Sequence, residues 1–208
     1  MTELYITNIN EIENFDKLVK KLPKERQERI SKFRKIEDKL ASLASGLFIN
    51  KLAKDKPIKL TSYGKPYIEN GPHFSISHSK DYVIMAVDSK NIGCDIEYNN
   101  DVAIKNIGKY AFHPQEFEYW SSMNFKTSLF YKLWTLKESY LKLVGKGLLL
   151  PPQSVCIDFD KEIKILKTPE KDFTDCKFKI SEQIKDYTIA ICHNSDSSDI
   201  NFKKIILK

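Results

Sequence analysis

Apolar and polar positions along this chain follow two alternating periods. Residues 3–9 (ELYITNI) read as a first strand. Pro23 then opens a stretch in which Ile30, Phe33, Leu40, Leu43 and Leu47 return at three, four or their sum, with Leu52 five further on, close to the spacing of one buried helix face. The other face of its first half carries Arg26, Arg29, Lys32 and Lys35. A loop with Tyr63-Gly64-Lys65-Pro66 follows, then FSIS at 74–77, then two β-type runs, YVIMAVD (82–88) and NIGCDIE (91–97). The turn-like Ser89-Lys90-Asn91 between them predicts a hairpin. From Val102 to about Leu143 the period is helical again, interrupted at His113-Pro114, with Phe130, Leu133, Trp134, Leu141 and Val144 as the apolar stripe and Gly145 and Gly147 as its stop. Beyond Pro151-Pro152 the pieces are strand-like: 154–160, 162–166, 176–180, 186–193 and 202–208.

Phe74-Ser75-Ile76-Ser77 followed by Asp81-Tyr82-Val83-Ile84 is echoed by Phe178-Lys179-Ile180-Ser181 followed by Asp186-Tyr187-Thr188-Ile189, the gap differing by one residue. A helix-rich stretch precedes each copy. This predicts an α/β (α+β) fold built as a pseudo-dimer of two similar halves, residues 1–100 and 101–208, with chemistry in the cleft between them. Chance similarity of two amphipathic strands is the alternative.

Composition narrows the class without naming a function. At 208 residues, 41% of them hydrophobic, the chain can bury a sizeable core, which excludes collagen-like and disordered classes. Thirty-four Lys and Arg against 28 Asp and Glu give +6, an excess that suits an anionic ligand or partner but does not indicate nucleic acid by itself. All three arginines, Arg26, Arg29 and Arg34, fall in one short stretch. Four cysteines without a C-x-x-C pair read as reduced, buried small hydrophobes. With no basic and apolar leader, and no apolar run near the roughly 20 residues of a membrane helix, the expectation is a cytoplasmic protein outside the membrane.

Asp95 and Glu97 alternate with Cys94 and Ile96, so on a strand both carboxylates leave one face with α-carbons roughly 7 Å apart. Glu138, on the second helical stretch, is a third carboxylate, and three with room for water or phosphate oxygens suit Mg²⁺. The competing reading is a solvated strand face and a surface i, i+4 pair of Glu138 with Lys142. Phosphate groups would need cations, which Arg26, Arg29, Lys32, Lys35, Lys65, Lys142 and Lys146 can supply; a solvated face of a lysine-rich protein is the alternative. His78, flanked by serines in SISHS, could hold a phosphate, whereas His73, His113 and His193 lack such a context. No zinc-binding histidine pair, nucleophile elbow or P-loop is present, and Phe112, Trp120 and Trp134 read as core aromatics.

Taken together, SISHS, the G-x-D-I-E of Gly93 to Glu97 and the W-x-x-K-E-S-x-x-K of Trp134 to Lys142 followed by G-K-G-L, with Y-G-K-P upstream and F-H-P-Q-E between, resemble the 4'-phosphopantetheinyl transferases of the larger surfactin-synthetase-activating (Sfp) type. The resemblance runs from about Leu22 to Pro152. It implies transfer of the phosphopantetheine arm of coenzyme A to a serine of an apo carrier protein (acyl, peptidyl or aryl), with Mg²⁺ required and 3',5'-ADP released. By the same resemblance Asp95, Glu97 and Glu138 would hold the metal and Lys142 would neutralise phosphate charge. Lys65, Ser77 and His78 would bind coenzyme A phosphates, with Arg26 and Arg29 on the ligand's rim. Glu116 matches a glutamate placed near the metal, and the serine proton would go to Glu116, Glu138 or a metal-bound water.

One departure stands out: where the family has an arginine contacting the nucleotide, this chain has Ala41, with Ser42 and Lys39 as neighbours. A non-catalytic coenzyme A or carrier-binding module is the rival reading, opposed by the intact Asp95, Glu97, Glu138 and Lys142. Nucleic-acid binding is opposed by the acidic residues that interrupt the lysine runs. A monomer is expected.

Overall fold

In the computed structural model, which describes residues 1–54, 56–100, 104–159, 162–195 and 199–208 apart from the side chain of residue 148, the stretch opened by Pro23 is two helices. Strand β1 (Thr2–Asn8) and the short helix α1 (Phe15–Val19) precede α2 (Lys24–Lys32) and α3 (Ile36–Ala53). The break falls at an extended Phe33 and Lys35. Ile30 on α2 and Leu43 on α3 share one buried cluster with Leu18 and Leu22, so the apolar recurrence continues in phase across the break and conceals it. Strands β2 (Ile58–Leu60) and β3 (Pro66–Ile68) form a small ribbon, followed by β4 (His73–Ser79), β5 (Tyr82–Asp88) and β6 (Ile92–Tyr98).

The second helical region is three helices, α4 (Ile104–Ala111), α5 (Pro114–Ser122) and α6 (Thr127–Val144); its expected start at Val102 lies outside the described residues. His113-Pro114 makes the first break as expected. The second is a turn at Asn124 and Phe125, both at positive φ, which the indole Nε1 of buried Trp120 ties down by donating to the Lys126 carbonyl at 3.0 Å. Helix α6 ends at Gly145 with φ 75°, the left-handed conformation that glycine adopts freely. Strands β7 (Cys156–Asp158), β8 (Lys164–Lys167), β9 (Lys177–Ser181), β10 (Tyr187–His193) and β11 (Ile200–Lys204) complete the order. The expected end of the 154–160 strand at Asp160 lies outside the described residues.

One sheet has the order β11-β1-β5-β4 and another β6-β10-β9, with β2-β3 and β7-β8 as separate ribbons. The sequence echo maps onto matching registers. Ile84 in β5 is flanked by Ser77 of β4 and Ile6 of β1, and Ile189 in β10 by Ser181 of β9 and Ile96 of β6. Each three-stranded unit is antiparallel, with α3 against the first and α6 against the second. The molecule is therefore a pseudo-dimer of two α/β units.

The hairpin expected of β5 and β6 does not form, because β6 pairs with β10 as the counterpart of β1. The turn that suggested it exists, with Asp88 Oδ1 accepting from Lys90 N at 3.1 Å and from Ser89 Oγ at 3.2 Å. Its effect is to hand the chain to the other sheet. Beside β4, strand β6 is held by side chains: Ser75 Oγ accepts from Cys94 N and Ser79 Oγ from Tyr98 N, each at 3.1 Å. The alternating serines of SISHS are thus the seam between the units. Gly93 lets β6 lie flush on α6, since a Cβ there would sit 1.9 Å from the Ser139 carbonyl oxygen. All four cysteines are free and buried, and no helix among the described residues is long and apolar enough to cross a membrane.

Candidate active site

A cleft of about 530 Å³ opens where the two units meet, walled by Arg26, Lys65, Phe74 and Ser75 on one side and by Glu138, Leu141 and Lys142 on the other. Glu138 and Lys142, an i, i+4 step apart on α6, line the cleft, and period-two alternation on β4 and β6 sets Ser77, Ser79, Asp95 and Glu97 beside them, outside the lining itself. Lys142 Nζ donates to Asp95 Oδ1 at 2.6 Å and to Ser77 Oγ at 2.7 Å, and Ser77 Oγ donates to the same Asp95 oxygen at 2.8 Å. Glu97 accepts from Ser79 Oγ at 2.9 Å and from the Trp134 indole at 3.2 Å. Glu138 stands one turn before Lys142 on the cleft wall.

Burial raises the pKa of all three carboxylates. For Asp95 this outweighs the opposing Lys142 charge. Glu97 is raised by burial and then by Asp95. Glu138 is pushed up to about 7 by burial, Asp95 and Glu97. For Lys142, burial alone would favour the neutral amine, but the Asp95 charge and hydrogen bond leave it raised and cationic. Crowded anions that resist ionisation call for another cation.

The carboxylates also have free valence. Asp95 Oδ2 is buried without a hydrogen-bond partner, and neither Glu138 oxygen has one among the described residues. Among the described residues no three His, Cys, Asp or Glu side chains, Asp95, Glu97 and Glu138 included, stand close enough together to hold a metal ion by themselves. An all-oxygen set with an orphaned buried oxygen nevertheless fits a hard cation such as Mg²⁺, which keeps several positions for water and phosphate oxygens rather than filling them from protein.

Of the other expected site residues, Lys65 joins the cleft. Its Nζ donates to the carbonyls of Leu143 at 3.0 Å and Ile92 at 3.3 Å, and burial pushes its pKa down to about 8. Gly145 makes room for it, since a Cβ there would lie 2.6 Å from Lys65 Cδ. Arg26 lies across α3 over Gly46, its Nη2 donating to the Ser42 carbonyl at 3.2 Å and its Nε buried without a partner. Ala41 is core, and the cations on that wall are Arg26 and Lys65. Ser77 belongs to the carboxylate network. His78, its neighbour on β4, is exposed and does not line the cleft, although Phe74 and Ile76 on the same face of the strand do. Arg29 is exposed and also stands outside the lining, and Lys146 pairs with Glu170 at 2.6 Å.

Glu116 lies elsewhere, 2% exposed within the second unit. One oxygen accepts from Lys137 Nζ at 2.5 Å and His113 N at 2.7 Å, the other from Ile157 N at 2.7 Å. Glu116 also closes a capping box at the start of α5, its side chain accepting from the backbone of the N-cap His113. Of the Y-G-K-P segment only Lys65 was given a site role, although Tyr63 and Gly64 also line the cleft, and Trp134 was placed in the core although its indole holds Glu97. An amphipathic tip on a helical stripe carries no pattern of its own.

Two family models match the chain: 4'-phosphopantetheinyl transferase, N-terminal, over residues 10–90, and the 4'-phosphopantetheinyl transferase superfamily over residues 91–192. Among curated relatives, the 4'-phosphopantetheinyl transferase gsp of Aneurinibacillus migulanus is 34% identical over 167 residues, covering 74% of this chain and 70% of that protein. A 4'-phosphopantetheinyl transferase of Bacillus subtilis is 31% identical over 192 residues, covering 85% and 84%. The holo-[acyl-carrier-protein] synthase structure from Thermotoga maritima aligns with a TM-score of 0.43 at 14% identity, over 50% of this chain and 61% of that one. The chain belongs to the 4'-phosphopantetheinyl transferase superfamily and is an enzyme of the Sfp-like type.

Proposed function

We propose that this protein moves the 4'-phosphopantetheine arm of coenzyme A onto a serine hydroxyl of an apo carrier protein and releases 3',5'-ADP. The observation that carries the proposal is the Lys142–Asp95–Ser77 knot beside Glu138, with an unpartnered carboxylate oxygen at the cleft where the two units meet. Coenzyme A brings a pyrophosphate and a 3'-phosphate, so the cleft must offset substrate anions as well as its own.

In this reading Asp95, Glu97 and Glu138 hold Mg²⁺, which when bound would draw charge from the pyrophosphate. Ser79 and Trp134 fix the Glu97 carboxylate, and Ser77 with Lys142 fixes that of Asp95, so little reorganisation is needed on binding. Lys142 supplies a permanent positive charge toward the phosphates, and Lys65 and Arg26 line the path of the ligand. Arg29 and His78, exposed in this structure, serve its outer phosphate. Glu138, on the cleft wall one turn before Lys142 and without a hydrogen-bond partner among the described residues, is the cleft carboxylate placed to take the serine proton during in-line attack on the β-phosphorus. Glu116, with both oxygens engaged away from the cleft, is not used for that step.

The test is mass spectrometry of apo acyl, peptidyl and aryl carrier proteins incubated with the enzyme, coenzyme A and Mg²⁺. The expected result is a phosphopantetheine mass increment on a carrier serine with 3',5'-ADP in solution. Tight coenzyme A binding with no increment on any carrier would overturn the proposal.

A further inference from the structure

Helix α6 carries both Glu138 and Lys142, so its rotation about its own axis sets where they point. At about 100° per residue, Glu138 and Lys142 lie about 100° and 140° around the helix from Lys137, and Ser139 and Leu143 about 200° and 240°. Gly93 closes on Ser139 and Leu143. On the opposite flank, Lys137 is fully buried and its Nζ donates to Glu116 Oε2 and to the Val155 carbonyl, each at 2.5 Å. Glu116 in turn accepts from His113 N and Ile157 N. One buried ion pair therefore joins the start of α5, strand β7 and the middle of α6.

We propose that Lys137 and Glu116 are positioning residues that lock the rotation of α6 and so aim Glu138 and Lys142 into the cleft. This inference rests on the function proposed above. A buried pair is a poor device for stability, because apolar residues of similar volume serve as well or better. Its hydrogen bonds are directional, whereas apolar contact is not. Turning α6 by about 20° would carry a group ~6 Å from the axis through ~2 Å, and a displacement of about 1 Å can cost on the order of 10²-fold in rate. Neither residue touches the cleft, so their effect is exerted through Glu138 and Lys142.

The test replaces the pair as a unit, with Lys137→Met and Glu116→Leu combined. Thermal unfolding, Mg²⁺ titration calorimetry with coenzyme A present, and kcat and KM across pH are then compared with the parent. The expected result is a folded protein with cooperative melting, Mg²⁺ affinity weaker by about tenfold, kcat lower by about tenfold or more, and an unchanged pH midpoint of kcat. Parent-like Mg²⁺ affinity and kcat in the folded double variant would overturn the inference. So would a shifted or lost pH midpoint, which would make Glu116 a proton carrier. If the double variant does not fold, Lys137→Met combined with Glu116→Gln, which removes the bond to α6 without leaving an unpaired buried charge, is held to the same readouts. A parent without turnover overturns the proposed function instead, and the Mg²⁺ titration still judges the lock.

Discussion

Asp95 is the residue on which the cleft turns, holding one oxygen against Lys142 and Ser77 and leaving the other without a partner. Because Asp95 and Lys142 share one network, their removal is expected to be non-additive. Asp95→Asn and Lys142→Met combined should destabilise by at least ~1 kcal/mol less than the sum of the single changes; simple additivity in urea denaturation would contradict the network. Glu138 gives a pH signature. Its folded pKa of about 7 stands above the ordinary 4.5, so the native state binds the proton more tightly. Its stabilising contribution is present below about 4.5 and is lost as pH rises through about 7. Without Mg²⁺, melting curves should show the parent losing more stability than Glu138→Gln between about pH 5 and pH 7; equal slopes would place Glu138 in an ordinary solvated environment. Period-two spacing made Asp95 and Glu97 legible in the sequence. The partnership of Glu116 with Lys137 was not, because it depends on α5, α6 and β7 coming together.

At the scale of elements, β6 and α6 form a pair whose separation is set by one glycine. Gly93→Ala would drive a Cβ into backbone, 1.9 Å from the Ser139 oxygen and 2.4 Å from Leu143 N, so the two elements must part. A stability loss of about 1–3 kcal/mol is expected, together with a fall in kcat in the fraction that stays folded, because Asp95 and Glu97 move away from Glu138. Parent-like turnover would show that the spacing does not matter. The strands and helix stripes were readable from hydrophobic period. Their partners were not: Ser89-Lys90-Asn91 is a turn that leads β6 to another sheet, and the break between α2 and α3 is hidden because Ile30 and Leu43 stay in phase across it. Turn composition specifies that the chain bends but not which strand it meets next.

For the whole molecule, the echo of FSIS in FKIS was the strongest clue to architecture, and the matched neighbours of Ile84 and Ile189 show why it persisted through packing. The +6 charge implies steered encounter with an acidic carrier. With coenzyme A saturating, kcat/KM for such a carrier should fall as salt rises past the range where the screening length drops below ~10 Å; a flat profile would contradict steering. The proposed part of Asp95, Glu97 and Glu138 in the transfer is decided by the rate of 3',5'-ADP release from Glu138→Ala at saturating coenzyme A, carrier and Mg²⁺, in protein shown to be folded. A rate lower by orders of magnitude is predicted; near-parental turnover would contradict it.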